Sequence, residues 1–350
     1  MLNIISRSWD DAGLGAIHKV VRNLAQGLDR IGYPYVVNKA LDTCQRLWIH
    51  DDYRALIALR RLDRRIRVIA GPNIFSMPRD IPRSIWLPPD MVYVHPSQWV
   101  VKGWQGLGYV RTRLDYWPVG IDAAHFPARD VSKLDRVLFY YKDRDPPGAD
   151  GAARIEAILK KSGIHYQRIN YGSYRQNDYL DALRHSRYAV WYGRQESQGL
   201  ALQEALAMGC PMIVVDAATI GDWSGGGGKG TLFTESENNI VATSAPYFDN
   251  RCGVKIQSIS LLEEALRNME QSFARYLPRQ FIAENLTPEI CARDLVSKFD
   301  RHWETLADPA IPSTGNFRPY RPPLSWFWYA LRHRLVRVGA VIRYRAGIAQ

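Results

Sequence analysis

The sequence has few cysteines, and they lie far apart. Cys44, Cys210, Cys252 and Cys291 form no CxxC pair, and no cluster of histidines accompanies them. This spacing argues against a zinc site. It favours reduced thiols in a cytosolic protein.

Long apolar runs are also missing. No run approaches the roughly 18 residues that a membrane-spanning helix needs. The start, MLNIISRSWDD, has a short apolar run followed by acids, so a signal peptide is not expected. The residues are 46% hydrophobic and 23% charged, which is typical of a globular chain and not of a disordered one. A length of 350 residues favours two domains of ordinary size.

Acidic residues are absent from the end of the chain. Residues 309–350 contain seven arginines and no aspartate or glutamate, while the whole chain has a formal net charge of +11. Removing those seven charges leaves about +4 for the rest, so the basicity belongs to one segment and not to the fold. Nucleic acid is not expected as a partner, because no recognition motif accompanies the arginines.

Residues 324–345 have the pattern of a basic amphipathic helix. On a helical wheel an apolar stripe is formed by Leu324, Phe327, Trp328, Leu331, Leu335, Val338 and Ile342. Arginines lie beside this stripe or opposite it. The pattern predicts a helix lying on an anionic membrane surface. The alternative is a C-terminal helix that packs its apolar stripe onto the N-terminal domain.

Strand-like and helix-like patterns alternate along the rest of the chain. RVIAGPN, MVYVHPS, RVLFYY, YAVWYG and PMIVVD are typical strands, with helical patterns or irregular links between strands. This alternation predicts parallel sheets covered by helices. Because the polar stretch AAHFPARDVSKLD interrupts it, we expect Rossmann-like domains at 1–122 and 123–302, with a crossover and tail at 303–350. Ligands of such sheets bind outside the carboxyl ends of the strands.

Two glutamates flank a predicted helix start in the stretch QESQGLALQEALAMGCPMIVVD. The first amides of a helix have no internal partner and lie at its positive end, so they can bind phosphate. Gly199 leaves room for the anion, and Ser197 and Gln198 add side-chain donors. Glu204, a little over one turn later, can accept both hydroxyls of a ribose, while Glu196 can reach a sugar beyond the phosphates. Taken alone, the two acids have an equally good structural explanation. Glu196 would be a first-turn acid that favours the helix dipole, and Glu204 would be a solvated helix residue.

The whole stretch resembles the E-x7-E signature of retaining glycosyltransferases with the GT-B fold, roughly E-G-F-G-L-x-x-x-E-A-x-A-x-G-x-P-V-I. The residues in register are Glu196, Gly199, Leu200, Glu204, Ala205, Ala207, Gly209 and Pro211. YWPVGIDAAHF resembles the family's crossing between domains, and GLGAIHKVVRNLAQGL is similar to its N-terminal glycine loop and helix. Gln198 departs from the pattern where an aromatic residue is frequent, and Val119 where asparagine is usual.

The resemblance implies an α/β protein of the GT-B class, with two Rossmann-like domains facing each other across a cleft and, here, the basic amphipathic C-terminal helix. It implies a retaining, metal-independent hexosyltransferase that moves a sugar from a nucleoside-diphosphate sugar to a glycan or lipid-linked acceptor. We expect it in the cytoplasm, peripheral on the inner membrane face, in cell-envelope polysaccharide or lipopolysaccharide synthesis. No cofactor is expected. The competing interpretations are a sugar-nucleotide epimerase or phosphorylase of the same fold, and a membrane-binding module.

The resemblance also assigns residues to the donor. Donor binding is expected of Gly13, Gly15, Ser197, Gln198, Gly199, Leu200 and Glu204. Catalysis is expected of Glu196, Lys142 and Arg144, because cations near the diphosphate stabilise the charge that builds up on the leaving group. Lys142 and Arg144 follow their strand more closely than the family's cations do, and they fit a solvated charged turn as well.

The acceptor is expected to bind to the first domain. Gly71 and Asn73 lie in AGPNIF at a strand end, where many relatives have a histidine. His95, in VYVHPS, is a second candidate that faces the cleft, although a lone histidine after a strand is more often structural.

Overall fold

The first half of the chain forms a parallel sheet. The computed structural model describes residues 1–304 except 12–14, 64, 83–84, 86, 110, 143–144, 146–149 and 223–232. Within these residues the strands of the first sheet are β1 (Leu2–Ile5), β2 (Tyr35–Val37), β3 (Arg46–Ile49), β4 (Arg67–Ala70), β5 (Val92–His95) and β6 (Arg113–Tyr116). They pair in the order β2-β1-β3-β4-β5-β6, all parallel. The connecting helices are α1 (Ala16–Arg30), α2 (Tyr53–Ala58) and α3 (Gln98–Gly106).

The second half forms another parallel sheet. Its described strands are β7 (Arg136–Lys142), β8 (Tyr166–Asn170), β9 (Ser186–Gly193), β10 (Met212–Val215) and β11 (Gly253–Ile256), in the order β11-β10-β9-β7-β8. The helices are α4 (Gly151–Lys161), α5 (Gln176–Arg184), α6 (Leu200–Ala207), α7 (Glu235–Asn238), α8 (Leu262–Ser272), α9 (Pro278–Asn285) and α10 (Pro288–Glu304). The predicted alternation of strands and helices is therefore confirmed, and residues 123–135 contain no strand or α-helix.

Strand β7 shows why the central strands of the sheets are mostly apolar. Successive side chains of a strand point to opposite faces of its sheet. Leu138 and Tyr140 lie in the core on one face, and Val137 and Phe139 lie in a separate core on the other face, against α4 and α8. Because helices cover both faces, both sets of side chains must be apolar.

The last described helix, α10, crosses back to the first half. It packs against α1 and β4. Nζ of Lys298 lies 2.7 Å from a carboxylate oxygen of Asp115, and Nε1 of Trp117 donates to the carbonyl oxygen of Cys291 at 2.8 Å. The predicted domain limit at residue 302 therefore lies within a helix that packs on the first sheet.

The chain passes between the halves twice, and the two crossings touch. The amide of Ile121 donates to the carbonyl oxygen of Leu286 at 2.7 Å. Gly27 and Gly120 both face Pro288 closely: a Cβ on Gly27 would lie 2.2 Å from the Pro288 oxygen, and one on Gly120 would lie 2.4 Å from the Pro288 nitrogen. A methyl group therefore has no room at either glycine.

We expect Gly27→Ala to destabilise the protein by about 2 kcal/mol, since overpacking against backbone outweighs the helix propensity that alanine adds. Urea unfolding measures the change. The matched control is Gly106→Ala at the end of α3, where a Cβ would meet no atom within 4 Å. A Gly27→Ala variant as stable as the control would contradict this packing.

Two sequence predictions concern membranes and thiols. In the part of the chain that the structure describes, no helix combines the length and the hydropathy needed to cross a bilayer. All four cysteines are buried and free of disulfides. The predicted basic helix at 324–345 lies outside the described residues.

Candidate active site

The site is organised by the start of α6. Strand β9 ends at Gly193, a short loop follows, and α6 begins at Leu200 after Gly199. Gly199 has φ +81°, a left-handed conformation that favours glycine. The first amides of α6 have no partner within the helix, and Gly199 brings no side chain in front of them.

Glu196 and Lys142 meet beside this helix start. Lys142 is the last residue of β7, and its Nζ lies 2.5 Å from Oε1 of Glu196. Nζ also lies 4.1 Å from the centre of the Tyr171 ring. The side chains of Lys142 and Glu196 are only 11% and 14% exposed. The structure thus brings together two of the predicted catalytic residues, while the third, Arg144, lies outside the described residues.

The backbone of Glu196 is held from both sides. Nε1 of Trp99, on α3 in the first half, donates to the Glu196 carbonyl oxygen at 2.9 Å, and the Glu196 amide donates to the carbonyl oxygen of Thr243 at 2.9 Å. The Thr243 hydroxyl in turn donates to the Asp216 carboxylate at 2.8 Å. Asp216 directly follows β10, so contacts from both halves of the chain hold the backbone of Glu196.

Glu204 lies on the buried side of α6 and is 3% exposed. Its Oε1 accepts from Nζ of Lys19 at 2.6 Å, and its Oε2 accepts from Nε2 of Gln176 at 2.9 Å. Lys19 lies in the first turn of α1, and Gln176 is the first residue of α5. Both oxygens of the predicted ribose-binding carboxylate therefore have fixed partners, one from each half of the chain.

Gln198 differs from its predicted role as a phosphate ligand. Its Nε2 donates to the Val119 carbonyl oxygen at 2.8 Å, and its Oε1 accepts from the Val119 amide at 3.1 Å. Its Nε2 also donates to Oε1 of Gln203 at 3.1 Å. Because the side chain is 6% exposed and bonded at both ends, it joins α6 to the crossing between the halves. The two departures from the family pattern, Gln198 and Val119, thus contact each other.

A cavity of about 280 Å³ lies in the cleft next to Ser197. The predicted acceptor residues Asn73 and His95 line it, and residues of both halves contribute. The apolar and aromatic side chains around it include Ile74, Phe75, Met77, Trp99, Trp104, Ile220 and Ile240. Gly71 is not among the lining residues, and its carbonyl oxygen accepts from Nε1 of Trp48 at 2.9 Å.

The two histidines at the carboxyl end of the first sheet are buried. Nδ2 of Asn73 donates to Nε2 of His50 at 2.7 Å. His95 lies against Trp104, with 4.3 Å between ring centres, and its Nε2 has no partner among the described residues. Burial lowers the pKa of His50 to about 4, against the opposing effect of Asp51, and it lowers the pKa of His95 to about 3. Both rings are therefore neutral near pH 7.

We expect the stability of the protein to fall as the pH drops from about 6.5 towards 4. The unfolded chain takes up a proton on each histidine below about pH 6.5, whereas the folded chain does not until its lower pKa is reached. Each histidine should cost about 2 kcal/mol by about pH 4.5. Urea unfolding should show that the free energy of unfolding falls less with pH in His95→Gln than in the wild type. His165→Gln, at an exposed position, is the control. If stability falls with pH as much in His95→Gln as in the wild type, a buried, neutral His95 is contradicted.

Three further predicted residues have simple placements. Gly15, with φ +53°, immediately precedes α1, and Leu200 is the first residue of α6. Gly13 lies outside the described residues. Among the residues that the structure does describe, no group of three His, Cys, Asp or Glu side chains is arranged to hold a metal ion. Independence of metal stays a prediction.

Sequence reasoning missed several residues of the site. Lys19 had a usable signal, because it follows the predicted glycine loop by less than two turns of helix. Gln176 had one too, since it opens the helix that follows β8. The contacts of Trp99 and Thr243 with Glu196 are made to its backbone, and no pattern of residue types reports such contacts.

The chain is similar to known proteins in structure and not in sequence. No protein-family model matches the sequence, and no curated protein matches it significantly. A sucrose-phosphate synthase from Thermosynechococcus elongatus is similar in structure, with a TM-score of 0.52 and 12% identity over 87% of this chain and 99% of that chain. The catalytic domain of starch synthase IV from Arabidopsis thaliana gives a TM-score of 0.52 and 11% identity, with the same coverage of 87% and 99%. In its described residues the chain therefore has the GT-B fold of these glycosyltransferases, with two parallel α/β sheets facing a common cleft, as the sequence predicted.

Proposed function

We propose that this chain is a glycosyltransferase that moves a hexose from a nucleoside-diphosphate sugar to a glycan or lipid-linked acceptor. One observation carries the proposal: Glu196, paired with Lys142, lies just before the start of α6, and the buried carboxylate of Glu204 lies on the same helix. A ligand with an anionic centre, a diol on one side and a sugar on the other matches that arrangement. A nucleotide sugar has these three parts in that order.

The helix start and Lys142 are proposed to bind the diphosphate. The positive end of α6 and its free amides favour an anion. When the bond from the anomeric carbon to the diphosphate oxygen breaks, negative charge grows on the leaving phosphate. The Lys142 ammonium group stabilises this charge more strongly in a partly buried site than in water. Since α6 and Lys142 already supply positive charge, we propose that the reaction needs no metal ion.

Glu204 is proposed to bind the ribose, and Glu196 to contact the transferred sugar. We propose that the anomeric configuration is retained, with attack on the face from which the diphosphate leaves. A diphosphate oxygen then takes the proton of the acceptor hydroxyl. The support for retention is the resemblance of the E-x7-E stretch to retaining enzymes of this fold.

The acceptor is proposed to enter the cavity next to Ser197. Of the residues that line it, Asn73, Ser76 and Ser197 offer polar groups, and the aromatic rings offer flat surfaces on which a sugar ring can stack. His95 lines it without charge, since its pKa is lowered to about 3 by burial. In the similar starch synthase structure, the protein is bound to ADP and acarbose, which supports a nucleotide and a glycan as joint ligands.

Residues 324–345 are proposed to hold the enzyme on the inner face of the membrane, where a lipid-linked acceptor for cell-envelope polysaccharide would be located. The support is the basic amphipathic pattern of the sequence. In a sedimentation assay with anionic vesicles, the full chain should be found in the vesicle pellet, and a chain ending at Pro323 should stay in the supernatant. Equal sedimentation of the two chains would remove this part of the proposal.

Hydrolysis of a panel of nucleotide sugars tests the proposed reaction. A transferase without acceptor should slowly release the nucleoside diphosphate and free sugar from one donor. An epimerase would convert a donor to its isomer without releasing nucleotide. A phosphorylase would leave the nucleotide sugars intact and, given a glycan and inorganic phosphate, would cleave a glycosidic bond to form sugar 1-phosphate and the shortened glycan. A membrane-binding module would change none of these compounds. Any of the last three results would contradict the proposed function.

A further inference from the structure

The proposed ribose carboxylate is tied to the opposite half of the molecule. Lys19, in the first turn of α1, reaches across the cleft to Oε1 of Glu204 at 2.6 Å. Its Nζ also lies 3.5 Å from Oε1 of Gln176, whose Nε2 donates to Oε2 of Glu204. The three side chains form a closed ring of contacts around one carboxylate. No role for Lys19 had been predicted from the sequence.

Burial makes Glu204 dependent on a cationic partner. The Glu204 side chain is 4% exposed, whereas that of Lys19 is 41% exposed. A carboxylate at this depth is unfavourable unless a cation or hydrogen-bond donors compensate it. The Lys19 ammonium group is the cation in contact with it. Removing that group would leave Glu204 with Gln176 as its side-chain hydrogen-bond partner among the described residues, and a loosely held carboxylate cannot present fixed acceptors to a ligand.

The contacts leave acceptor sites of the Glu204 carboxylate unused. An ionised carboxylate can accept about four hydrogen bonds, two on each oxygen. Lys19 uses one site on Oε1, and Gln176 uses one site on Oε2. One site is left on each oxygen, so both hydroxyls of a ribose can donate to Glu204 while Lys19 stays in place.

We propose that Lys19 is a positioning residue for the ribose of the donor: it orients the Glu204 carboxylate from across the cleft, so that nucleotide binding depends on a contact between the two halves. This inference rests on the proposed function, because it takes the ligand of Glu204 to be the ribose of a nucleoside diphosphate.

Calorimetric titration of Lys19→Met tests the proposal. The ligands are the ribonucleoside diphosphate that the wild type binds best, chosen among UDP, ADP and GDP, and its 2′,3′-dideoxy counterpart. We expect Lys19→Met to weaken binding of the ribonucleotide about tenfold or more. Binding of the dideoxy compound should change less than about twofold, since it cannot donate to Glu204. Lys19→Arg, which keeps the cation, should restore most of the affinity.

The matched control is Lys161→Met. Lys161 also pairs with a glutamate, Glu263, at 2.8 Å, but it lies at the C-terminal end of α4, at the sheet edge away from the carboxyl ends of the strands. Its removal takes away the same charge and should leave both affinities unchanged. Thermal melting of each variant checks that the fold is kept.

Two results overturn the inference. Unchanged ribonucleotide affinity in Lys19→Met would show that Lys19 is not needed. Equal weakening for the ribonucleotide and the dideoxy compound would show that Lys19 acts on the phosphates or on the fold, and not through the ribose carboxylate. Both results leave the proposed function standing, because the wild type still binds nucleotide. A wild type that binds none of the three diphosphates would overturn both.

Discussion

Glu196→Gln is expected to lower kcat for donor hydrolysis about 100-fold while the KM for the donor changes only a few-fold. The carboxylate lies 2.5 Å from Nζ of Lys142, next to the start of α6. Glutamine keeps the shape but loses the charge that orients the Lys142 ammonium group. The loss should appear in turnover, because Lys142 acts on charge that develops only as the sugar leaves.

A double-mutant cycle separates this role from general damage. If the two residues act as a unit, Lys142→Met combined with Glu196→Gln should cost little more than the worse single change. Glu263→Gln, at a partly exposed position, is a control that removes a paired glutamate elsewhere. The proposed joint role of Lys142 and Glu196 would be contradicted if the fall in kcat of the double variant equalled the product of the two single falls. A Glu196→Gln enzyme with wild-type kcat would contradict it as well.

Glu204→Ala is expected to weaken donor binding about 30-fold and to change kcat at saturating donor far less. Hydrogen bonds to a buried carboxylate are stronger than those between neutral groups, so losing two of them costs mainly affinity. Equilibrium binding of the nucleoside diphosphate measures the change. The variant Glu204→Gln keeps the side-chain volume in the buried site and serves to separate lost binding from lost packing.

The contrast between the two glutamates is the informative part of this prediction. Glu196 is expected to act on turnover and Glu204 on affinity, because Glu196 contacts the Lys142 ammonium group, whereas Glu204 is buried on α6 between Lys19 and Gln176. If Glu204→Ala bound the nucleoside diphosphate with wild-type affinity, the proposal that the ribose binds to Glu204 would be contradicted.

Much of the fold could be predicted because its signals are local. The run RVLFYY is apolar or aromatic after its first arginine, and β7 is buried on both faces. Alternation of such runs with amphipathic helices specifies parallel sheets. The return of α10 to the first half could not be predicted in this way. It depends on contacts such as that of Lys298 with Asp115, which are 183 residues apart in sequence.

The sequence gives a prediction of the candidate site mainly where one short stretch carries its residues. Glu196, Gly199 and Glu204 lie within nine residues, and the first turn of α6 fixes the position of Glu204 relative to Gly199. Gln198 has another role in the structure because its partner, Val119, comes from the crossing between the halves. Lys19 was missed for the same physical reason: its partner is 185 residues away.

The most direct test of the account is a crystal structure with the best-binding nucleoside diphosphate. We predict that a phosphate oxygen lies about 3 Å from the backbone amides of residues 200–202, and that the ribose hydroxyls donate to Glu204. A nucleotide bound elsewhere in the molecule, or an α6 start covered by protein with no space for an anion, would contradict it.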